Sequence, residues 1–179
     1  MDIQITKMHG IGNSYVLIED LGSKLEKKYP AIAEAIADKS FGVGSDGMLV
    51  INKGRVAKYW MRVFNPDGSE AEKSGNGIRM FARYLYDKKM TTNKTDIEVG
   101  GRHGGQVVRP KINSDNSVTV DMGKGEILGK ETIVLEETEF SGLRVSVGNP
   151  HFVIFAKNEK EAESYAKRYG SAIENHGAF

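Results

Sequence analysis

The stretch KSGNGIRMFARYLYD, Lys73 to Asp87, sets Ser74 and then Gly75, Asn76 and Gly77 at the mouth of an apolar, helix-like run. The first turn of a helix leaves amide N–H groups without partners and carries partial positive charge. With two glycines there, no bulky side chain bars a carboxylate or phosphate from that backbone, and Asn76 can add its amide. Ser74 stands at the N-cap, beside any anion so held. The same residues also suit a structural role, since serine is a favoured N-cap and glycine permits close packing. On the helix alone both readings stand. Asn13 and Asn149 occupy matching places in two similar segments, and Asn65 ends a strand-like run. Together they offer donors and acceptors suited to the ammonium and carboxylate of an amino acid, although each can also stabilise its own turn.

Other chemistry finds less support. GVGSDG, Gly42 to Gly47, satisfies G-x-G-x-x-G, but a helical pattern precedes it and MLVI follows, the reverse of a dinucleotide fingerprint. No Walker lysine and no G-x-S-x-G elbow is present, and His9, His103, His151 and His176 have no zinc-ligand spacing. The chain has no cysteine, which excludes disulfides and thiol chemistry within it. No metal site is therefore expected.

The elements that must position these residues follow from periodicity. Ser14–Asp20, Gly47–Lys53 and Tyr59–Phe64 are β-branched or aromatic runs bounded by turn residues and predict strands. Pro30 opens a helix whose apolar face is Ile32, Ala33, Ile36 and Ala37. From Ile78 a second helix is expected, with Ile78, Phe81, Ala82 and Leu85 on one face and Met80, Tyr84 and Tyr86 widening it. A helix so apolar on all sides is normally enclosed. TDIEVGG, GQVVRPKI and SVTVDMG predict further strands, giving strands wrapped about one buried helix.

At 179 residues the chain suits one large or two small domains. Its charge of +1 comes from well-mixed residues, so no nucleic-acid partner is expected. No apolar run approaches the ~20 residues that span a bilayer, and MDIQITKMHG has no signal-peptide core. The cytoplasm is the expected compartment, with no membrane partner, and the sequon at Asn93 reads as chance.

GNSYVLIED at Gly12 recurs as GNPHFVIFAKN at Gly148, 136 residues later, each followed by a helical pattern. This duplication predicts two related units. The second is expected to stop at Phe179, where its counterpart of Met48–Leu85 would begin.

KMHGIGNSYVLIED, FGVGSDGMLV, MRVFNPDGSEAEKSGNGIRMFARYLY, VTVDMG and VGNPHFVIF together resemble the diaminopimelate epimerase family, in order and over almost the whole chain. The resemblance implies an α+β fold: a barrel-like sheet around a central helix at about 75–88 in a first lobe, 1–112, and an incomplete pseudo-symmetric second lobe, 113–179. It implies a cofactor-independent amino-acid epimerase, converting LL- to meso-diaminopimelate by two-base proton transfer, with a tendency to homodimerise. On this pattern Asn13 and Asn65 bind substrate, Gly75 and Asn76 hold it at the helix entrance, Asn149 contributes from the second lobe, and His151 tunes the catalytic pair. Ser74 stands where the family has a catalytic cysteine, Met80 where members often have another, and Gly47 where some have glutamine. VDMGKGE also puts Gly123-Lys124 where the family usually has proline. The second cysteine motif and a Glu-Arg pair are expected beyond Phe179, so impaired epimerisation is expected here. Two alternatives stand beside it. One is a non-catalytic amino-acid-binding or structural module of the same fold. The other is an isomerase of the phenazine-biosynthesis type, with Asp46 or Glu72 as an acidic base.

Overall fold

The computed structural model describes residues 2–147 and 150–178 and divides into two compact units, Met1–Met122 and Gly123–Phe179. In the first, strands β1 (Ile5–Gly10) and β2 (Asn13–Glu19) form a hairpin. Helix α1 (Tyr29–Ala37), with Pro30 in its first turn, follows a short 3-10 turn at Glu26–Lys28. Next come β3 (Met48–Lys53), β4 (Tyr59–Phe64) and the two-residue β5 (Glu70–Ala71), then α2 (Gly75–Asp87). Strands β6 (Ile97–Val99), β7 (Gln106–Val108), β8 (Lys111–Ile112) and β9 (Val118–Thr119) complete the unit.

The main sheet runs β1-β2-β3-β4-β6-β7, with β5 added to β4. β2 and β3 pair in parallel, as do β4 and β6, and the other neighbours are antiparallel. Successive strand residues face opposite sides of a sheet. Tyr15, Leu17, Leu49, Ile51, Met61 and Val63 accordingly pack with Ile78, Phe81 and Leu85 of α2. Val16, Ile18, Met48, Val50 and Phe64 pack with Tyr29 and Ala33 of α1 on the other side. Burial on both faces explains why MLVI reads as a continuous apolar run. Helix α2 touches β1, β2, β3, β4, β8 and β9, so strands enclose it as its composition requires. The sheet path stays open, since β1 and β7 are its two ends. Tyr86, expected to widen the buried surface, is instead 40% exposed.

The first unit extends past the expected boundary at residue 112. The reason is hydrophobic: Val118, Val120 and Met122 pack against the core around α2.

The second unit holds β10 (Glu126–Leu135), β11 (Thr138–Ser146), β12 (Pro150–Val153) and α3 (Glu159–Glu174). The strands form an antiparallel sheet in chain order. Its core is Ile133, Phe140 and Tyr169, with the Phe140 and Tyr169 rings 4.9 Å apart edge to face. Asn158 caps α3, its Oδ1 accepting the Glu161 amide at 2.9 Å, and Glu161 reaches back to accept the Lys157 amide at 2.6 Å. In each unit the strand of the repeated segment, β2 or β12, precedes a helix, α1 or α3. Among the described residues, no helix is long and apolar enough to cross a membrane.

Candidate active site

Ser74 has extended backbone and caps α2, its Oγ accepting the Gly77 amide at 3.1 Å. Its carbonyl accepts the Ile78 amide at 2.8 Å, the first intrahelical bond. Those two bonds leave the amides of Gly75 and Asn76 at the tip of the helix with no protein acceptor among the described residues. Ser74, Gly75 and Asn76 are half-buried, whereas Gly77 is buried. The entrance is therefore closed on its core side and partly exposed on the other.

Asn13 and Asn76 come together. Asn76 Nδ2 donates to Asn13 Oδ1 at 3.1 Å, and Arg79, one turn further along α2, donates from Nη2 to Asn76 Oδ1. The β1–β2 hairpin makes this possible: Gly10 lies opposite Asn13 in register, and β1 packs on α2. Asn13 Nδ2 in turn donates to Asp46 Oδ2 at 3.4 Å, and the same oxygen accepts the Ser14 amide at 2.7 Å. That amide, more than the added bonds from the Ser14 hydroxyl and Asn13, holds the Asp46 carboxyl below the usual carboxylate range.

The other expected site residues are placed differently. Asn65 is half-buried and serves its own turn, with Nδ2 donating to Ser69 Oγ at 2.9 Å and its amide to the Ser69 carbonyl at 2.8 Å. No bond of Asn65 to Asn13, Ser74 or Asn76 is formed. His151 lies exposed on β12 of the second unit and lines a cavity of about 700 Å3 with Arg144, Phe152, Ala162 and Tyr165. Asn149 falls outside the described residues. Of the two acidic candidates, Asp46 joins the Asn13 cluster, whereas Glu72 is exposed and uses its carbonyl to accept the Gly100 and Gly101 amides.

Residue-level reading missed Arg79 and Ser14. Arg79 had a usable signal, its spacing of three from Asn76 on a helix. Ser14 had none, because its partner Asp46 lies 32 positions away.

The glycine-rich 42–47 stretch packs against the end of α1. The amides of Val43 and Gly44 both donate to the Ile36 carbonyl at 3.0 Å, and that of Gly42 to Asp38 at 3.1 Å. A Cβ on Gly42 would lie 2.2 Å from the Ala35 carbonyl, so its glycine is a matter of contact distance. These amides close a helix C-terminus and do not cradle phosphate. Among the described residues, no group of three or more His, Cys, Asp or Glu is placed to hold a metal ion.

The family model for diaminopimelate epimerase matches residues 5–128. A diaminopimelate epimerase of Methanococcus maripaludis (strain C6) is 36% identical, over 99% of this chain and 68% of its own length. Among solved structures, a hydroxyproline epimerase from Agrobacterium vitis, with bound trans-4-OH-L-proline, superimposes with a TM-score of 0.62 at 13% identity. That match covers 85% of this chain and 51% of that one. A Bacillus anthracis phenazine biosynthesis protein of the PhzF family gives a TM-score of 0.59 at 19% identity, over 90% of this chain and 56% of that one. The chain thus spans about two-thirds of the first relative and little more than half of these two solved chains. At such low identity the solved structures bear on the fold alone.

Proposed function

The chain belongs to the diaminopimelate epimerase family, and on that premise we propose that it binds diaminopimelate at the entrance of α2 as a cofactor-independent amino-acid epimerase. The observation that carries this reading is the pair of amides at Gly75 and Asn76, without an acceptor among the described residues, beside the Ser74 cap. A ligand carboxylate on those amides sets the adjoining α-carbon toward residue 74. As an α-proton leaves, negative charge spreads onto the carboxylate, and donors already in place stabilise it without reorganising. Asn13 and Asn76 supply further amide hydrogens at the same place.

Epimerisation needs one group to remove the proton and another to deliver its replacement on the opposite face. Residue 74 is the first-lobe group in this reading. A thiol there has a reference pKa of about 8.5, lowered by a helix N-terminus, so its base form is accessible near neutrality. The hydroxyl of Ser74 loses its proton far less readily. The reading is therefore retained binding of diaminopimelate with slow proton exchange. A non-catalytic amino-acid-binding module is the second reading, and a hydroxyl in place of a thiol at residue 74 favours it.

Thermal-shift titration with LL- and meso-diaminopimelate, with lactate as control, tests binding. Deuterium incorporation at the α-carbon tests catalysis. Stabilisation by diaminopimelate with slow exchange supports the epimerase, and stabilisation with no exchange selects the binding module. Absence of any diaminopimelate-dependent shift would end both readings.

A further inference from the structure

We propose that Arg79 and Asp46 are positioning residues that lock the side-chain amides of Asn76 and Asn13 in a single orientation, so that both present N–H groups to the ligand carboxylate. This rests on the functional reading above. An asparagine amide can be turned end for end at little steric cost, exchanging its acceptor oxygen for its donor nitrogen. Guanidinium only donates and carboxylate only accepts. Arg79 occupies one end of the chain and therefore forces Asn76 Oδ1 toward itself. Asn76 Nδ2 must then face Asn13 and meet its Oδ1. Asn13 Nδ2 is left facing Asp46, which accepts it. Turning either asparagine would set donor against donor or acceptor against acceptor, so one assignment remains.

Three further observations fit. Arg79 is half-buried and makes no salt bridge among the described residues, so its charge is spent on this chain. Asp46 is itself held by the Ser14 amide and hydroxyl, which fixes the accepting end. Gly10 lines the guanidinium, since a Cβ there would stand in ordinary contact with Arg79 Nη2, at 3.6 Å. Each amide nitrogen carries two hydrogens and spends one within the chain. The second hydrogens of Asn76 and Asn13 join the Gly75 and Asn76 backbone amides as a surface of donors, suited to carboxylate.

The test reads the side-chain amide NMR signals of Asn13 and Asn76 in the full chain without ligand, and then meso-diaminopimelate affinity. In Arg79→Met the Asn13 signals should move, although Arg79 does not touch Asn13, and Arg79→Lys should restore part of the wild-type pattern. Asp46→Asn should move the Asn76 signals in the same indirect way. Because Asp46 is exposed, this variant keeps the test open if Arg79→Met does not fold. Affinity should fall about tenfold in each single variant, the size of one charge-assisted hydrogen bond. The double variant should lose little more than either single one, as expected for one connected unit. Unmoved Asn13 signals in Arg79→Met and unmoved Asn76 signals in Asp46→Asn would overturn the proposal, as would wild-type affinity in both. A wild-type chain that takes up no meso-diaminopimelate would sink the substrate reading, while the ligand-free signals still decide the relay.

Discussion

Ser74 Oγ accepts the Gly77 amide proton at 3.1 Å, so the residue at the proposed reacting position is also the one that opens α2. Helix initiation and the proposed acid–base chemistry fall on one oxygen. Replacements at residue 74 separate the two roles. Ser74→Ala should lower stability by about 1 kcal/mol in denaturant unfolding, the usual loss for an N-cap. Ser74→Cys should raise α-deuterium exchange of diaminopimelate at least about tenfold, because a thiolate forms more readily than an alkoxide. A cysteine variant exchanging no faster than the serine chain would mean residue 74 does not face the α-carbon.

The two glycines of the entrance should respond differently to alanine. A Cβ on Gly77 would stand 3.1 Å from Ser74 Cβ and 3.2 Å from Leu49 Cδ2, both in packed surroundings. A Cβ on Gly75 would meet only the Met122 thioether end, at 3.8 Å. Gly77→Ala should therefore cost about 1–3 kcal/mol through overpacking. Gly75→Ala should be neutral or gain up to about 1 kcal/mol, since alanine is the better helix former. Paired thermal melts check the contrast, and equal losses would contradict the packing.

Glu98 predicts a specific acid sensitivity. Its buried side chain accepts the Arg55, Val56 and Gly105 amides and the Arg55 guanidinium. Burial alone pushes its carboxyl up, but those amides, led by Val56 and Arg55, outweigh it and hold the group below its ordinary value of 4.5. Because the folded value is the lower one, its contribution is complete above the unfolded value. It is lost as pH falls from there through the folded value. Glu98→Gln should flatten stability against pH in that acid window and cost about 2–3 kcal/mol at neutral pH. An unchanged acid slope in chemical denaturation would refute the assignment.

Arg62 offers a test of the outer face of the sheet. Its side chain is 4% exposed, forked on Glu70 at 2.7 and 2.8 Å and bonded to Glu26 at 2.6 Å. The Glu70 side chain is 10% exposed and that of Glu26 is 53% exposed. Arg62→Ala strands a buried carboxylate and should cost about 3–5 kcal/mol. Glu26→Ala removes a solvated partner and should cost less than about 1 kcal/mol. Similar losses in the two variants would mean the burial difference carries no weight.

Several elements were readable from residue order because their signals are local. The bounds of β4 and the apolar face of α1 follow from β-branched content, Pro30 and helical spacing. β1 was not legible: it lies at a sheet edge, is nowhere fully buried, and its apolar content is thin. The β10–β11 hairpin was missed for a related reason, since Ile127, Leu128 and Val134 are exposed and blur the alternation. Asn65 was expected to bind substrate from the family resemblance, and what residue order did not give is the bond of its Nδ2 to Ser69 Oγ within the turn that follows it.

Order of residues alone determined that a capped, glycine-bare helix entrance exists and that its helix must be enclosed. Capping and apolar periodicity act within a turn or two of chain, so they are written where they operate. Tertiary structure decided which groups share that entrance. It brought Asn13 against Asn76 across 63 positions and set Arg79 and Asp46 at the ends of the same hydrogen-bonded chain. A hydrogen bond depends on which atom faces which, and for residues that far apart only packing of the β1–β2 hairpin on α2 settles it.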